Sequence, residues 1–200
     1  NPFYLGLYGG SESAGILDSD QDLIRFAESF GYRPVESCRV YQRSLDAVPT
    51  TDDSRLPLLR REMEILAEPW PMPTTWWQAC TLGPFPSLRY EMLEKQTREY
   101  VGQTWAWDME TYTRAAGCPT IGLVNFVVEP DRRRHGFATL LLQSVLKHLM
   151  DQGVARVEVQ TMEQNAAAIG LYEKFGFRQV DAGRAYLLDR ERTASVAAGP

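Results

Sequence analysis

Arg132, Arg133, Arg134 and His135 stand in a row directly before Gly136 and an apolar-periodic stretch that runs to Leu149. Cations are misplaced there, because a helix N-terminus carries the positive end of the macrodipole and unpaired N–H groups, and so favours acids. The arrangement makes sense if a multiply charged anion binds. Backbone N–H groups from Arg134 to Ala138 would then cradle a phosphate, and arginine side chains would add charge-assisted hydrogen bonds. Gly136 would allow close backbone approach, and the small Ala138 would keep the helix start clear. Neither GxxxxGK[ST] nor GxGxxG is present, which excludes a P-loop and a dinucleotide fingerprint. The competing reading is a solvated basic turn between a strand and a helix.

The elements that must position this loop are legible on either side of it. "PTIGLVNFVV" (Pro119–Val128) is almost wholly apolar, as a buried strand would be. Ala138, Leu141, Leu142, Val145 and Leu149 fall at helical spacing, and Gly153 ends the stripe. "ARVEVQTM" (Ala155–Met162) reads as the next strand. Strand, helix and strand make a βαβ unit with a parallel pair. Upstream, "RREMEILAEPW", "LRYEMLEKQ" and "YVGQTWAWDME" carry strand patterning, and "TTWWQACTL" (Thr74–Leu82) is read as a short helix. The class is α/β or α+β with a mixed sheet.

Composition narrows the function classes. The chain has 200 residues, 44% of them hydrophobic and 24% charged, with a net charge of −5. This length suits one ordinary soluble domain with a sizeable core, or one domain plus a fragment of another, and the charge argues against a general nucleic-acid binder. No apolar run approaches the length of a membrane span and no signal peptide is evident, so a membrane partner is not expected. Cys38, Cys80 and Cys118 are odd in number and far apart, and His135 and His148 are the only histidines. Neither a disulfide framework nor a metal site is expected, and a reducing cytoplasm is the default location.

Self-comparison reveals a repeat. "FGYRPVESCRVYQRSL" (Phe30–Leu45) aligns without a gap to "FGFRQVDAGRAYLLDR" (Phe175–Arg190), at a constant offset of 145. A helix-like stretch precedes each copy, Gln21–Ser29 and Asn165–Lys174, so the unit reads as helix, turn, strand, strand. The expected organisation is a C-terminal remnant of a first, degenerate domain over residues 1–46, a linker over 47–56, a complete domain over 57–190 and a tail over 191–200. The chain opens on Asn1 rather than Met, as a trimmed product or a piece of a longer protein would.

Two segments then carry a resemblance. "VVEPDRRRHGFATLLL" resembles the V-x-P-x-x-[RQ]-x-x-G-x-[GA] segment of the GCN5-related N-acetyltransferase (GNAT) superfamily, with Arg133, Gly136 and Ala138 at its named positions. "NAAAIGLYEKFGFRQV" (Asn165–Val180) is similar to the same family's N-x-x-A-x-x-L-Y-x-x-x-G-F segment. The resemblance spans about residues 57–190 and suggests the C-terminal part of a tandem protein. It implies a GNAT fold, mostly antiparallel, in which the strand ending at Val128 and its parallel neighbour splay apart to take the pantetheine arm of acetyl-CoA. Phe126 and Val128 would bond the pantetheine and thioester through their backbones. Arg133, Arg134, His135, Gly136, Phe137 and Ala138 would surround the pyrophosphate, and Asn165 would cap its helix and touch the coenzyme.

The implied reaction is direct acetyl transfer to a primary amine, on a small molecule or a peptide, in a ternary complex. Tyr172 matches the family's general acid, with a hydroxyl of ordinary pKa near 10. The base is open. Gly122 stands where histone-type relatives carry a strand glutamate. Glu158 resembles the strand glutamate of the ribosomal-protein N-terminal acetyltransferases, although two extra residues separate it from Asn165. Asp108 and Glu110 are rivals. Trp70, Trp76 and Trp77 are candidate acceptor-pocket walls. In the first copy Ala27 replaces Tyr172 and Asp20 replaces Asn165, so no catalysis is expected there. A decayed domain that only binds acyl-CoA or a protein is the alternative, and the oligomeric state is open, a homodimer included.

Overall fold

The computed structural model describes residues 15–47, 51, 53–69, 76 and 87–188. These build strands β1 (Ile16–Leu17), β2 (Tyr32–Ser44), β3 (Met63–Pro69), β4 (Ser87–Glu94), β5 (Tyr100–Asp108), β6 (Thr120–Val128), β7 (Arg156–Met162) and β8 (Arg178–Leu188). The helices are α1 (Gln21–Ser29), α2 (Leu56–Glu62), α3 (Glu110–Ala116), α4 (Phe137–Asp151) and α5 (Ala166–Lys174). All eight strands form one sheet in the order β1-β8-β2-β7-β6-β5-β4-β3. Every pair is antiparallel except β6–β7, which is the expected parallel pair joined through α4. This is the mixed sheet with flanking helices that the GNAT resemblance implies.

Helix α4 organises the core. Its expected apolar stripe is real but too narrow, since Phe137, Leu140 and Leu146 are buried as well as Leu141, Leu142, Val145 and Leu149. Leu56 and Leu59 of α2 belong to the same core as α4, so the helix has apolar neighbours beyond the sheet. Each large aliphatic buried this way contributes about 1.5–3 kcal/mol. One polar pair is enclosed in this region, with the Tyr90 hydroxyl 2.8 Å from His148 Nδ1. Burial pushes that phenol upward from its ordinary pKa.

Three local expectations change. The segment beginning at Arg60, read as strand, starts with the end of α2, whose opening has Pro57 in its first turn, where proline costs no hydrogen bond. The turn after β5 contains α3, which ends on Gly117 in the left-handed conformation. Each repeated unit ends in one long strand, β2 or β8, whose pairing shifts register twice, between Pro34 and Glu36 and between Val40 and Tyr41. The helix read over Thr74–Leu82 lies outside the described residues except Trp76, as do residues 1–14 and the tail beyond Leu188.

The two copies of the repeat meet each other. Arg33 pairs with Leu187 and Gln42 with Arg178. Under the 145-residue offset Arg33 corresponds to Arg178 and Gln42 to Leu187, so the two pairs exchange. The same exchange relates Leu17↔Gly183 to Cys38↔Met162. Strands β2 and β8 therefore pair about a local pseudo-twofold axis, and β1 is the counterpart of the end of β7. The helix caps correspond too, with Asp20 accepting from Leu23 N at 3.0 Å and Asn165 accepting from Ala168 N at 3.2 Å. The first copy does more than pack against the second, because β2 is inserted between β7 and β8 as an interior strand.

Candidate acetyl-transfer site

Strands β6 and β7 pair from Thr120↔Arg156 to Leu123↔Val159, and no rung joins them beyond that point. Past it β6 bulges. The β5–β6 register shifts between Gln103 and Trp105, and Asn125 takes a positive φ of 52°. One extra residue bends a strand and ends its pairing, so the local sequence opens a gap between the parallel strands, as expected. Phe126 and Val128 line β6 beyond the bulge.

The chain then turns into α4. Pro130–Arg132 makes one 3-10 turn, Arg133 is extended, and Arg134 and Gly136 both adopt left-handed backbone, with φ of 64° and 93°. Among the described residues no side chain caps α4, and its first turn holds no acid. A 15-residue helix thus presents its opening N–H groups and dipole without an acid in its own first turn, which fits an anionic ligand. A side chain at Gly136 would meet Leu59 Cδ1 at 3.1 Å, so α2 presses on the loop from the side.

The arginines divide the work unequally. Arg132 bonds Glu99 at 2.6 Å and lies 4.0 Å from Glu94, which turns it toward the β4–β5 hairpin rather than the helix start. Arg133 donates from Nε to the Val128 carbonyl at 3.0 Å, bracing the end of β6 and occupying part of the carbonyl expected to meet pantetheine. Arg134 is exposed, with its carbonyl accepting from Arg55 Nη1 at 2.9 Å. Arg55 is in turn gripped by Asp53 at 2.7 and 2.8 Å. This Arg55–Asp53 fork escaped sequence reading because it comes from 79 residues away. Its hydrogen bonds hold the Asp53 carboxyl down at about 2. His135 and Phe137 share with Arg55, Leu58, Leu59 and Arg132 the wall of an open groove of about 490 Å³.

Tyr172 projects from α5 into the core, 5% exposed. Its ring lies 6.4 Å from Phe126 in an edge contact, 6.5 Å from Tyr41 and 5.6 Å from Phe177. The Phe126 contact brings it to β6 where that strand parts from β7. Asn165 is the exposed cap of α5, a role its Ala168 bond explains without a ligand. Glu158 is 4% exposed and accepts from Gln42 Nε2 at 2.8 Å and from Gln160 Nε2 at 3.0 Å. It pairs across β6 with Gly122, so the carboxylate sits beside the position where the strand glutamate is missing. Strand alternation puts Glu158 on the face opposite Val157 and Val159, which share the core with Tyr172.

The rival carboxylates differ in setting. Asp108 pairs with Ile121, which places it on the opposite face from Glu158, and burial followed by Glu110 raises its pKa. Glu110 is exposed and ion-paired with Arg114. Trp76 is 76% exposed, and Trp70 and Trp77 lie outside the described residues. Among the described residues no cluster of His, Cys, Asp or Glu could hold a metal ion, and no helix is long and apolar enough to cross a membrane.

A family model described as the acetyltransferase (GNAT) family matches residues 61–177, more than half of the chain, and the chain belongs to that family. It is 39% identical over 64 residues to the [ribosomal protein bS18]-alanine N-acetyltransferase of Escherichia coli K12, a match covering 32% of this chain and 43% of that enzyme. It is 34% identical over 67 residues to an acetyltransferase of Yersinia pestis Pestoides F, covering 32% and 48%. The matches thus span less than half the length of these relatives. Among solved structures, a tandem GNAT protein from the clavulanic acid biosynthesis pathway superposes with a TM-score of 0.62 at 15% identity, over 88% of this chain and 61% of that one. A GCN5-related N-acetyltransferase from Sphaerobacter thermophilus gives 0.57 at 23% identity, over 86% and 57%. At such identities these two speak for the fold alone.

Proposed function

We propose that the chain transfers an acetyl group from acetyl-CoA to a primary amine by direct attack in a ternary complex. The observation that carries this reading is the uncapped, acid-free start of α4, set on two left-handed residues at the end of the strand that parts from β7. Phosphates of the coenzyme would take the N–H groups from Arg134 to Ala138, with Arg134 and the groove-lining His135 adding polar contacts and Arg133 holding the strand end. The pantetheine would run past Phe126 and Val128 toward Tyr172. Acetyl-CoA supplies the activated acyl group as a thioester.

The chain's own residues would manage two protons. The acceptor must be neutral to attack, so its nitrogen gives up a proton as the C–N bond forms. Glu158 is the base favoured here, because it is buried and held by two amide donors, while Glu110 is exposed and committed to Arg114. Tyr172 gives its hydroxyl proton to the sulfur as the C–S bond breaks. The products are the N-acetylated amine and coenzyme A. The named activity of the Escherichia coli relative makes a peptide α-amine one acceptor to try beside small amines. The cytoplasm is the compartment that three cysteines dispersed along the chain support.

We further propose that residues 15–47 are the back end of a first acetyltransferase-like unit without catalysis of its own, and that residues 57–190 do the chemistry. The test is transfer of label from [¹⁴C]acetyl-CoA to a panel of alanyl peptides, polyamines and amino sugars. Labelled product from one class, abolished by Tyr172→Phe, supports the reading. Absence of transfer to every class, with acetyl-CoA still bound, would convert it to a binding module.

A further inference from the structure

The face of the sheet that carries Glu158 holds a polar row the transfer chemistry has not used. Gln160 lies two residues along β7 and is 6% exposed. Its Nε2 donates to Glu158 Oε1, and Gln42 of the first copy donates to Glu158 Oε2. A carboxylate only accepts, so it fixes which end of each amide faces it. Gln160 Oε1 is therefore turned away from Glu158. It is buried and meets no hydrogen-bond partner among the described residues. Buried acceptors without partners are rare and call for an explanation.

Its position supplies one. Leu123↔Val159 is the last rung between β6 and β7, so Gln160 is the first residue of β7 beside the gap. Directly paired residues share a face of a sheet. Trp105 is paired with Val124 and Trp107 with Gly122, which puts both indoles on the Gln160 face across β6. Trp105 Nε1 is also buried without a partner among the described residues. An unused acceptor on β7 and an unused donor on β5 thus lie on one face of the sheet, on either side of β6.

We propose that Gln160 Oε1 takes an N–H of the acceptor amine and so aims its lone pair at the thioester carbon, with Glu158 and Gln42 as the residues that hold the amide in this orientation. The inference rests on the acetyl-transfer reading and deepens it by naming the group that meets the acceptor nitrogen. A neutral amide suits the task. A carboxylate at the same point would favour the ammonium form, which cannot attack, whereas an amide oxygen orients an N–H and leaves the charge state alone. The first copy then contributes to the site through Gln42, although it has no catalytic residue of its own.

The test uses two coenzyme A conjugates differing in one atom, CoA–S–CH₂–CO–NH–CH₃ and CoA–S–CH₂–CO–O–CH₃, titrated calorimetrically into the wild-type chain and into Gln160→Leu. The N–H conjugate is expected to bind wild type about tenfold more tightly than the ester, and Gln160→Leu to erase that ratio while coenzyme A itself binds unchanged. Gln42→Leu should shrink the ratio without erasing it. Equal affinity of the two conjugates for wild type, or a ratio that survives Gln160→Leu, overturns the proposal. The wild-type comparison stands even if the variant folds poorly. Failure of coenzyme A to bind wild type at all overturns the acetyl-transfer reading beneath it.

Discussion

Phe30 and Phe175 hold the same place in two copies of one unit and meet opposite surroundings. Phe175 is 0% exposed at the end of α5, inside the core that α4 completes. Phe30 is 58% exposed at the end of α1 and stacks on Phe26, itself 61% exposed, with ring centroids 4.8 Å apart. Tyr32 and its counterpart Phe177 repeat the contrast at 40% and 3%. Nothing in the sixteen aligned residues dictates this. A helix–strand unit can bury one face against a sheet, but the other face needs a body such as the β6–α4–β7 crossover. The second copy has that body and with it the loop proposed to hold the coenzyme phosphates, a gap between strands and Tyr172. The first copy has Ala27 where Tyr172 would be, and what it contributes is an interior strand.

The largest expected effect lies at that last difference. Tyr172→Phe should lower kcat by about 10²–10⁴-fold, the usual contribution of a positioned acid, with acetyl-CoA affinity unchanged. Ala27→Tyr should give no activity to a Tyr172→Phe chain. Steady-state kinetics decide both, and rescue by the second substitution would erase the distinction between the copies.

Stability comes next. Phe175→Ala should cost about 3–5 kcal/mol, as large-to-small changes in packed cores do. Phe30→Ala should stay within about 0.5 kcal/mol, as exposed positions do. Urea denaturation of the two variants measures the comparison directly, and similar losses would mean that α1 is buried in solution. The caps test likeness instead. Asp20→Ala and Asn165→Ala should each cost about 1 kcal/mol, and a cost confined to one copy would break the correspondence of α1 with α5.

The smallest effect is a pH dependence at the loop brace. Arg55 holds Asp53 at about 2, below its ordinary 3.8. Because the folded value is depressed, the stabilisation is complete above the ordinary value and is lost as pH falls through about 2. The difference in urea midpoint between wild type and Asp53→Asn should therefore be constant above pH 3.8 and close as pH approaches 2. A difference that persists at pH 2 would separate the fork from the charge of Asp53.

How much of this was legible in the chain depends on distance along it. The βαβ crossover, the loop before α4 and the cap at Asn165 are all local, so spacing and residue type revealed them. Glu158 and Tyr172 were identified as candidates, but not the amides that hold Glu158, because Gln42 reaches it across a strand pairing of 116 residues' separation. The three arginines looked equivalent in sequence. Only tertiary contacts assign Arg132 to Glu99 and Arg133 to a carbonyl, and bring Arg55 to the loop. Helix α2 was missed because a seven-residue segment opening Leu-Pro shows no helical period. The repeat was plain, whereas its antiparallel self-pairing was not, since a one-dimensional match carries no information on which strands become neighbours.

The most direct measurement is a calorimetric titration with acetyl-CoA, repeated with acetyl-pantetheine and with an Arg133→Ala, Arg134→Ala double variant. One site per chain is predicted, belonging to the second copy, with acetyl-pantetheine and the double variant each binding more than about tenfold more weakly through loss of charge-assisted contacts. Equal affinity for acetyl-CoA and acetyl-pantetheine, or no binding by a folded sample, would contradict the assignment of the α4 N-terminus to the coenzyme phosphates.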